Sequence, residues 1–312
     1  MRYELTCTWT AFLCAFLVFL TACAPSGDDG SSDDAAPADD DSASDDMAGD
    51  DAADDTAGDD TAGDDDTYPP DSILPPPPEG SHWELVWNDE FDGDALDASK
   101  WTASDGPRRD GYWTPDAVHL DGAGLCVFDI YEDSGVYYDG AIDTMNKYDR
   151  AFGYFETRIW LHTQGGHWPA FWMMPYDFGE IGNGGVDGVE IDIMEKPWTH
   201  GPLKNMVNHA FHWDGYGEGG GVDSKLSNVA GILEGFHTYG LWWTPDAYIL
   251  YIDGVERWRT TGGGVCQDPL YLVLSDEIGN LFFGMENIGD ATLPDHWFVD
   301  FVRVYDSVTP DL

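Results

Sequence analysis

Positive charge is what this chain has least of. Thirteen Lys and Arg stand against 60 Asp and Glu, for a formal net charge of −47 at pH 7. Such a field repels phosphate backbones, so nucleic acid is excluded as a natural partner, and the same sign disfavours anionic polysaccharides relative to neutral ones. A salt-adapted habitat would produce the same surface. Long apolar runs are also missing: residues 11–20, AFLCAFLVFL, fall well short of the ~20 needed to span a bilayer. Of five cysteines only Cys126 and Cys266 lie beyond residue 23, so a disulfide-dense scaffold is excluded. One sits in a strand-like run and the other in a glycine-rich loop, and their spacing does not say whether they pair. No long stretch carries the 3.6-residue apolar period of an amphipathic helix.

What is present divides into three parts. Arg2, the apolar run and Leu20-Thr21-Ala22-Cys23 have the layout of a signal peptide over 1–22. The ending resembles a bacterial lipobox, which implies cleavage before Cys23 and lipidation of its sulfur; ordinary secretion with an incidental Cys23 is the alternative. Ala24 stands where an Asp would imply inner-membrane retention. The expected location is therefore the cell surface or periplasm, anchored by lipid to the outer membrane. Residues 23–80 read as a disordered tether: positions 24–78 hold 19 Asp and no Lys, Arg or Glu, so they cannot bury a core. The Asp pairs lack the fixed spacing and glycine turn of a calcium loop. Residues 81–308 form the expected folded domain, and from residue 79 onward 40 acids face 12 bases, a net of −28.

In that domain, short aromatic and β-branched runs at 117–120, 125–131, 153–161, 239–244, 248–252, 270–275 and 297–305 alternate with Gly, Asp, Pro and Asn. This spacing predicts an all-β antiparallel sandwich, two curved sheets of jelly-roll type with a concave cleft for an extended polymer. Asp253-Gly254 predicts a type I′ hairpin. One run is distinctive: Val189-Glu190-Ile191-Asp192-Ile193-Met194-Glu195. Period-two alternation puts Glu190 and Asp192 on one face of a strand, and Glu195 joins them only if one extra residue at Ile193-Met194 makes a β-bulge. Three carboxyls on one face are costly to keep for structure alone. Retaining glycoside hydrolysis uses such a set, a nucleophile and an acid roughly 5–5.5 Å apart, with a third carboxyl to split their pKa values. A solvated strand face or a metal site is the competing explanation.

Fourteen Trp are unusual for this length, and Trp113, Trp168, Trp172, Trp198 and Trp213 fall in Gly- and Pro-rich surroundings. Indole faces stack on pyranose rings, so Trp113, Trp168, Trp172 and Trp213 are candidate sugar platforms, while Trp160, Trp243 and Trp258 read as core.

With these motifs in hand, the domain resembles glycoside hydrolase family 16 over about 83–306. The likeness runs through residues 85–93 (LVWNDEFDG), 148–158 (YDRAFGYFETR), 167–175 (HWPAFWMMP), the Glu190–Glu195 motif in its bulged, laminarinase-like form, 236–245 (FHTYGLWWTP) and 299–305 (VDFVRVY). The resemblance implies Glu190 as nucleophile, Asp192 as assisting acid and Glu195 as general acid/base, with no catalytic cofactor. It also implies Glu156 and Arg158 lining the cleft, His212 beside the donor site, and a structural calcium held by Glu90, the Gly122 carbonyl and Asp300. The chain departs from the laminarinase pattern at 183–189 (NGGVDGV), which lacks a Trp, at Lys196-Pro197-Trp198 and at Asp214-Gly215-Tyr216-Gly217. The expected activity is endo-hydrolysis of a β-1,3 or mixed-linkage glucan by a monomer. A β-galactanase, a transglycosylase and a non-catalytic lectin are the alternatives.

Overall fold

The computed structural model describes residues 71–309. The signal peptide 1–22, Cys23 and the tether as far as residue 70 lie outside the described residues. The all-β expectation holds: among the described residues there are nineteen strands, four one-turn 3-10 segments and no α-helix. The smaller sheet runs Gly221–Asn228, Met206–Trp213, Val189–Glu195, His167–Met174, Leu270–Ile278, Ala141–Asp143, Thr102–Ala103. The larger has Tyr248–Ile252, Phe236–Trp243, Gly153–Trp160, Asp295–Val308 and Cys126–Asp133 at its centre, with His82–Asp89 also on Asp295–Val308. The long strands pair antiparallel, and Gly111–Trp113 meets Val136–Asp139 in parallel.

Alternation decides which residues lie between the sheets. Phe155 and Ile159 from the larger sheet meet Val189, Ile191, Phe171, Phe211, Leu272 and Leu274 from the smaller in one buried cluster. Ile252 pairs with Val255 across Asp253 and Gly254, whose φ values of 52° and 69° are those of the predicted type I′ turn. Cys126 and Cys266 are both buried free thiols. Trp160, read as core from its strand, is 42% exposed beside Phe236 and Phe298 on the outer face of the larger sheet.

Two expectations need correction here. Glu156 and Arg158 alternate with Phe155 and Ile159, so they face outward from the larger sheet, away from the acid-bearing one. Arg158 Nη1 donates 2.5 Å to Asp300 Oδ2 and lies 4.6 Å over Phe236. Glu156 is fully buried beneath the segment before the first strand: Ile73 N donates 2.9 Å to its Oε1, Ser72 Oγ lies 2.7 Å from the Tyr305 hydroxyl, and Trp83 Nε1 donates 2.7 Å to the Pro75 carbonyl. Burial pushes Glu156 up to about 7, with the Ile73 amide and Ser72 drawing it back. Nor do the expected calcium ligands fit that role. Arg303 donates to Glu90 from Nε at 2.9 Å and Nη2 at 2.6 Å, and Arg158 takes Asp300, so each carboxylate already faces a guanidinium that would repel a dication. Gly122 sits in a turn whose Ala123 and Leu125 amides donate to Asp121 Oδ1.

The end of the tether thus belongs to the fold, with Leu74 packed on the Trp83, Tyr154 and Tyr305 cluster. A chain starting at residue 80 should be less stable than one starting at 71 by about 2–4 kcal/mol, because Glu156 loses its donor and apolar area is uncovered. Equal urea midpoints for the two chains would show that the segment contributes nothing.

Candidate active site

The acids come together through strand register. Asp192 sits opposite Ala210 and Glu195 opposite Asn208, so three steps on Val189–Glu195 match two on Met206–Trp213. That mismatch is the expected β-bulge, and Ile193 and Met194 both point into the core at 1% and 0% exposure. Glu195 therefore returns to the outer face of the smaller sheet with Glu190 and Asp192.

Each acid has partners from neighbouring elements. Asn208 Nδ2 donates 2.7 Å to Glu195 Oε2. The Tyr216 hydroxyl, brought in by the loop after Trp213, donates to Glu190 Oε2. His212 stands opposite Glu190 in register, its Nε2 3.5 Å from Asp192 Oδ2 and 3.9 Å from Glu190 Oε1. Glu190, Asp192 and His212 can each offer one ligand atom within 4.8 Å of the others, so this trio is also the group able to hold a metal among the described residues.

Burial sets the electrostatics. It raises Glu190, against which the Tyr216 hydrogen bond and the His212 and Arg108 charges pull downward. Burial and then the Glu190 charge hold Asp192 well above the usual range, and burial and then the Asp192 charge do the same for Glu195, with Asn208 opposing. Glu190 and Glu195 are both raised, Glu195 further: Glu190 has three groups opposing the shift and Glu277 adding to it, while Asp192 and Glu190 favour the Glu195 proton against Asn208 and His212.

The aromatic expectations divide. Trp172 lies next to the acids, opposite Asp192 in register, half-buried, its Nε1 donating 3.0 Å to Ser275 Oγ. Trp168 is on the same face but only 3% exposed, with Arg109 5.4 Å over its ring and Phe282 edge-on. Trp113 is half-buried beside it, donating 2.7 Å to the Asp276 carbonyl. Trp213 is a correction: it shares the parity of core residue Phe211, and a Cβ on Gly221 or Gly263 would lie 2.1 or 2.3 Å from its indole, so it packs inward.

Several residues of this face were not read from the sequence. Glu277 binds both Arg108 and Arg109. Trp198 and Trp168 both meet the edge of Phe282, and Trp198 Nε1 donates 3.0 Å to the carbonyl of Phe283, whose ring is 91% exposed. Phe178 supports Tyr216 edge-on at 5.2 Å. Parity would have placed Asn208 with His212, but only the pairing partner shows that they face Glu195 and Glu190.

A sequence model of glycosyl hydrolases family 16 matches residues 109–268, a stretch that contains all three acids. The chain belongs to this family. It is 27% identical over 270 residues to glucan endo-1,3-β-glucosidase A1 of Niallia circulans, covering 74% of this chain and 39% of that one. With the keratan-sulfate endo-1,4-β-galactosidase of Sphingobacterium multivorum it shares 30% over 242 residues, 72% of this chain and 55% of the relative. The chain therefore spans about half or less of the length of these two family members. Among solved structures, the endo-β-1,3-glucanase of Pyrococcus furiosus superposes with a TM-score of 0.62 at 26% identity, covering 74% of this chain and 97% of that one. The two-sheet sandwich is thus the family's jelly roll, and both relatives and structure bear out the resemblance read from the motifs.

Proposed function

We propose that the chain is a retaining endo-glycosidase acting on a β-linked polysaccharide, with a β-1,3 or mixed-linkage β-glucan as backbone. The observation that carries this is the bulge-aligned set of Glu190, Asp192 and Glu195 on one sheet face, with the last held toward its protonated form more strongly than the first. The likeness to the Niallia circulans and Pyrococcus furiosus glucanases supports the backbone. In the reaction the Glu190 carboxylate, oriented by Tyr216 and His212, attacks the anomeric carbon while Glu195 gives its proton to the leaving oxygen. Glu195, now ionised, takes a proton from water, and the resulting hydroxide cleaves the glycosyl ester with overall retention. Asp192 lies between them, held toward its protonated form by burial and the Glu190 charge, and its interaction with both neighbours separates their pKa values.

Proton NMR of products freshly formed from laminarin or lichenan should show the β-anomer first, the α-anomer growing only by mutarotation. Initial formation of the α-anomer would refute the mechanism, and absence of cleavage on laminarin, lichenan, agarose and carrageenan would refute the activity. A β-galactan is the second reading, favoured by the 30% identity to a galactosidase.

For the N-terminus we infer a lipid anchor at Cys23, supported by the Leu20-Thr21-Ala22-Cys23 motif. Cys23→Ala should then move the protein from the membrane fraction to soluble material, since a thioether lipid supplies the attachment. Retention of that variant in membranes would refute the anchor.

A further inference from the structure

Twelve basic residues serve this domain, and two that are adjacent in sequence meet on the acid-bearing face. Arg108 ends the short strand Gly106–Arg108, and Arg109 starts the turn into Gly111–Trp113. Arg109 holds φ +50°, a conformation that side chains of its kind seldom adopt and that persists only where the surroundings impose it. The turn directs both guanidiniums at one carboxylate. Arg108 Nε donates 2.7 Å to Glu277 Oε1, its Nη2 reaches the same oxygen, and Arg109 Nε donates to Oε2. Each cation also lies over an indole, Arg108 at 4.8 Å from Trp113 and Arg109 at 5.4 Å from Trp168. Glu277 is 4% exposed, whereas the two arginine side chains are 36% and 39% exposed.

One guanidinium suffices to neutralise one carboxylate. A second, in a domain of net −28, leaves the group with one surplus positive charge. It also leaves donors over, because each arginine carries five N–H groups and these two commit only Nε and one Nη of Arg108 and Nε of Arg109 to Glu277. The group stands in the field of the acids, for the Arg108 charge acts on Glu190 and Tyr216 and the Arg109 charge on Asp192. A buried anchor, two flat indole supports and a fork of outward donors form a rigid receptor for a planar or tetrahedral oxyanion.

We propose that Arg108 and Arg109 form an oxyanion subsite that takes a carboxylate or sulfate carried by the polysaccharide, making the preferred substrate an acid-substituted β-linked chain. This rests on the glycosidase reading in that the same chain must cross Glu190 and Glu195. The acidic surface does not prevent it: at 0.1 M salt, charges more than about 10 Å away are largely screened, so the local pair decides.

Affinity is to be measured by calorimetry on the full chain carrying Glu190→Gln, which prevents turnover, with three ligands of one backbone: laminarin oligosaccharides, their sulfated form and their C6-oxidised, carboxylate-bearing form. At least one acidic ligand should bind about tenfold or more tighter than the neutral one, the size of a charge-assisted hydrogen bond replacing a neutral one. The form that gains affinity identifies sulfate or carboxylate as the group recognised. Arg108→Gln and Arg109→Gln, made singly so that Glu277 keeps one partner, should each erase most of that gain while leaving the neutral ligand within about threefold, and Arg→Lys should restore part of it. Neutral ligand binding as well as or better than both acidic forms, or equal losses for all three in the arginine variants, would overturn the proposal; the first comparison needs no arginine variant to fold. Failure of the glycosidase reading shows separately, as absence of new reducing ends with the unmodified chain on every polymer.

Discussion

Replacing Glu190 or Glu195 by Gln is expected to lower kcat by about 10²–10⁴-fold or more, since in the proposed mechanism each change removes a charge or a proton that the transition state requires. Asp192→Asn should cost less, because Asp192 acts through its neighbours. The three variants make a paired claim about stability. All three acids are raised above their unfolded values by burial, so the folded state binds protons more tightly than the unfolded one, and stability is lost as pH rises above the ordinary carboxylate range. At pH 7 the neutral Gln or Asn variants should therefore be at least as stable as the unmodified chain. Activity lost together with a lower urea midpoint would point to misfolding. A Glu variant retaining more than a few per cent of the rate on its best substrate would remove that residue from the mechanism.

The second large effect is expected at a position with no role in the chemistry. His167 lies on the core side of its strand, fully buried, with Nδ1 2.9 Å from Asp276 Oδ2 and Nε2 3.3 Å from Asp295 Oδ2. Burial alone would lower its pKa, but the two carboxylates raise it to about 9. His167→Ala leaves Asp276 without this partner in the interior, and removing one member of a buried charged group typically costs 3–5 kcal/mol. The loss should depend on pH. Because the folded-state pKa is raised, the His167 contribution is complete below about 6.5, the unfolded value, and disappears as pH rises through about 9. Urea titrations of both proteins from pH 6 to 10 should show the gap closing. A gap that is small at pH 6, or constant with pH, would mean that the imidazolium is not what holds the cluster.

Sheet class, strand positions and the bulge were legible because they follow from alternation within one segment: Val189, Ile191 and Ile193 against Glu190 and Asp192 is visible in seven letters. His212 is placed by the family resemblance and not by its own pattern; the structure puts the other histidine of that segment, His209, inside, its ring 2.7 Å from the Ile193 carbonyl. What the letters could not supply was the side of the sandwich. Glu156 and Arg158 have the same parity relation to their strand as Glu190 has to its own, yet they lie in the other sheet and face outward from it. The same gap explains Trp213, whose neighbours looked loose because glycines 221 and 263 are there to admit its indole. Glu277 stands 168 or more positions along the chain from Arg108 and Arg109, and no local pattern joins it to them.

The bulge also determines which changes of length this strand can absorb. Counted without it, a five-residue segment from Glu190 would already bring its first, third and fifth side chains to one face. The six-residue segment reaches the same face only by folding the surplus residue into the interior. Loss of Met194 would therefore alter the tilt and spacing of the last acid while leaving its sense unchanged, at the expense of a cavity worth about 2–5 kcal/mol. Gain of one more residue after Met194 would likewise restore regular alternation, with the last acid outward but further from Glu190 and Met194 turned out of the core. The strand has a parity rule with one permitted exception, and the separation of its two outer carboxyls would shorten on deletion and lengthen on insertion, each time with loss of the bulge.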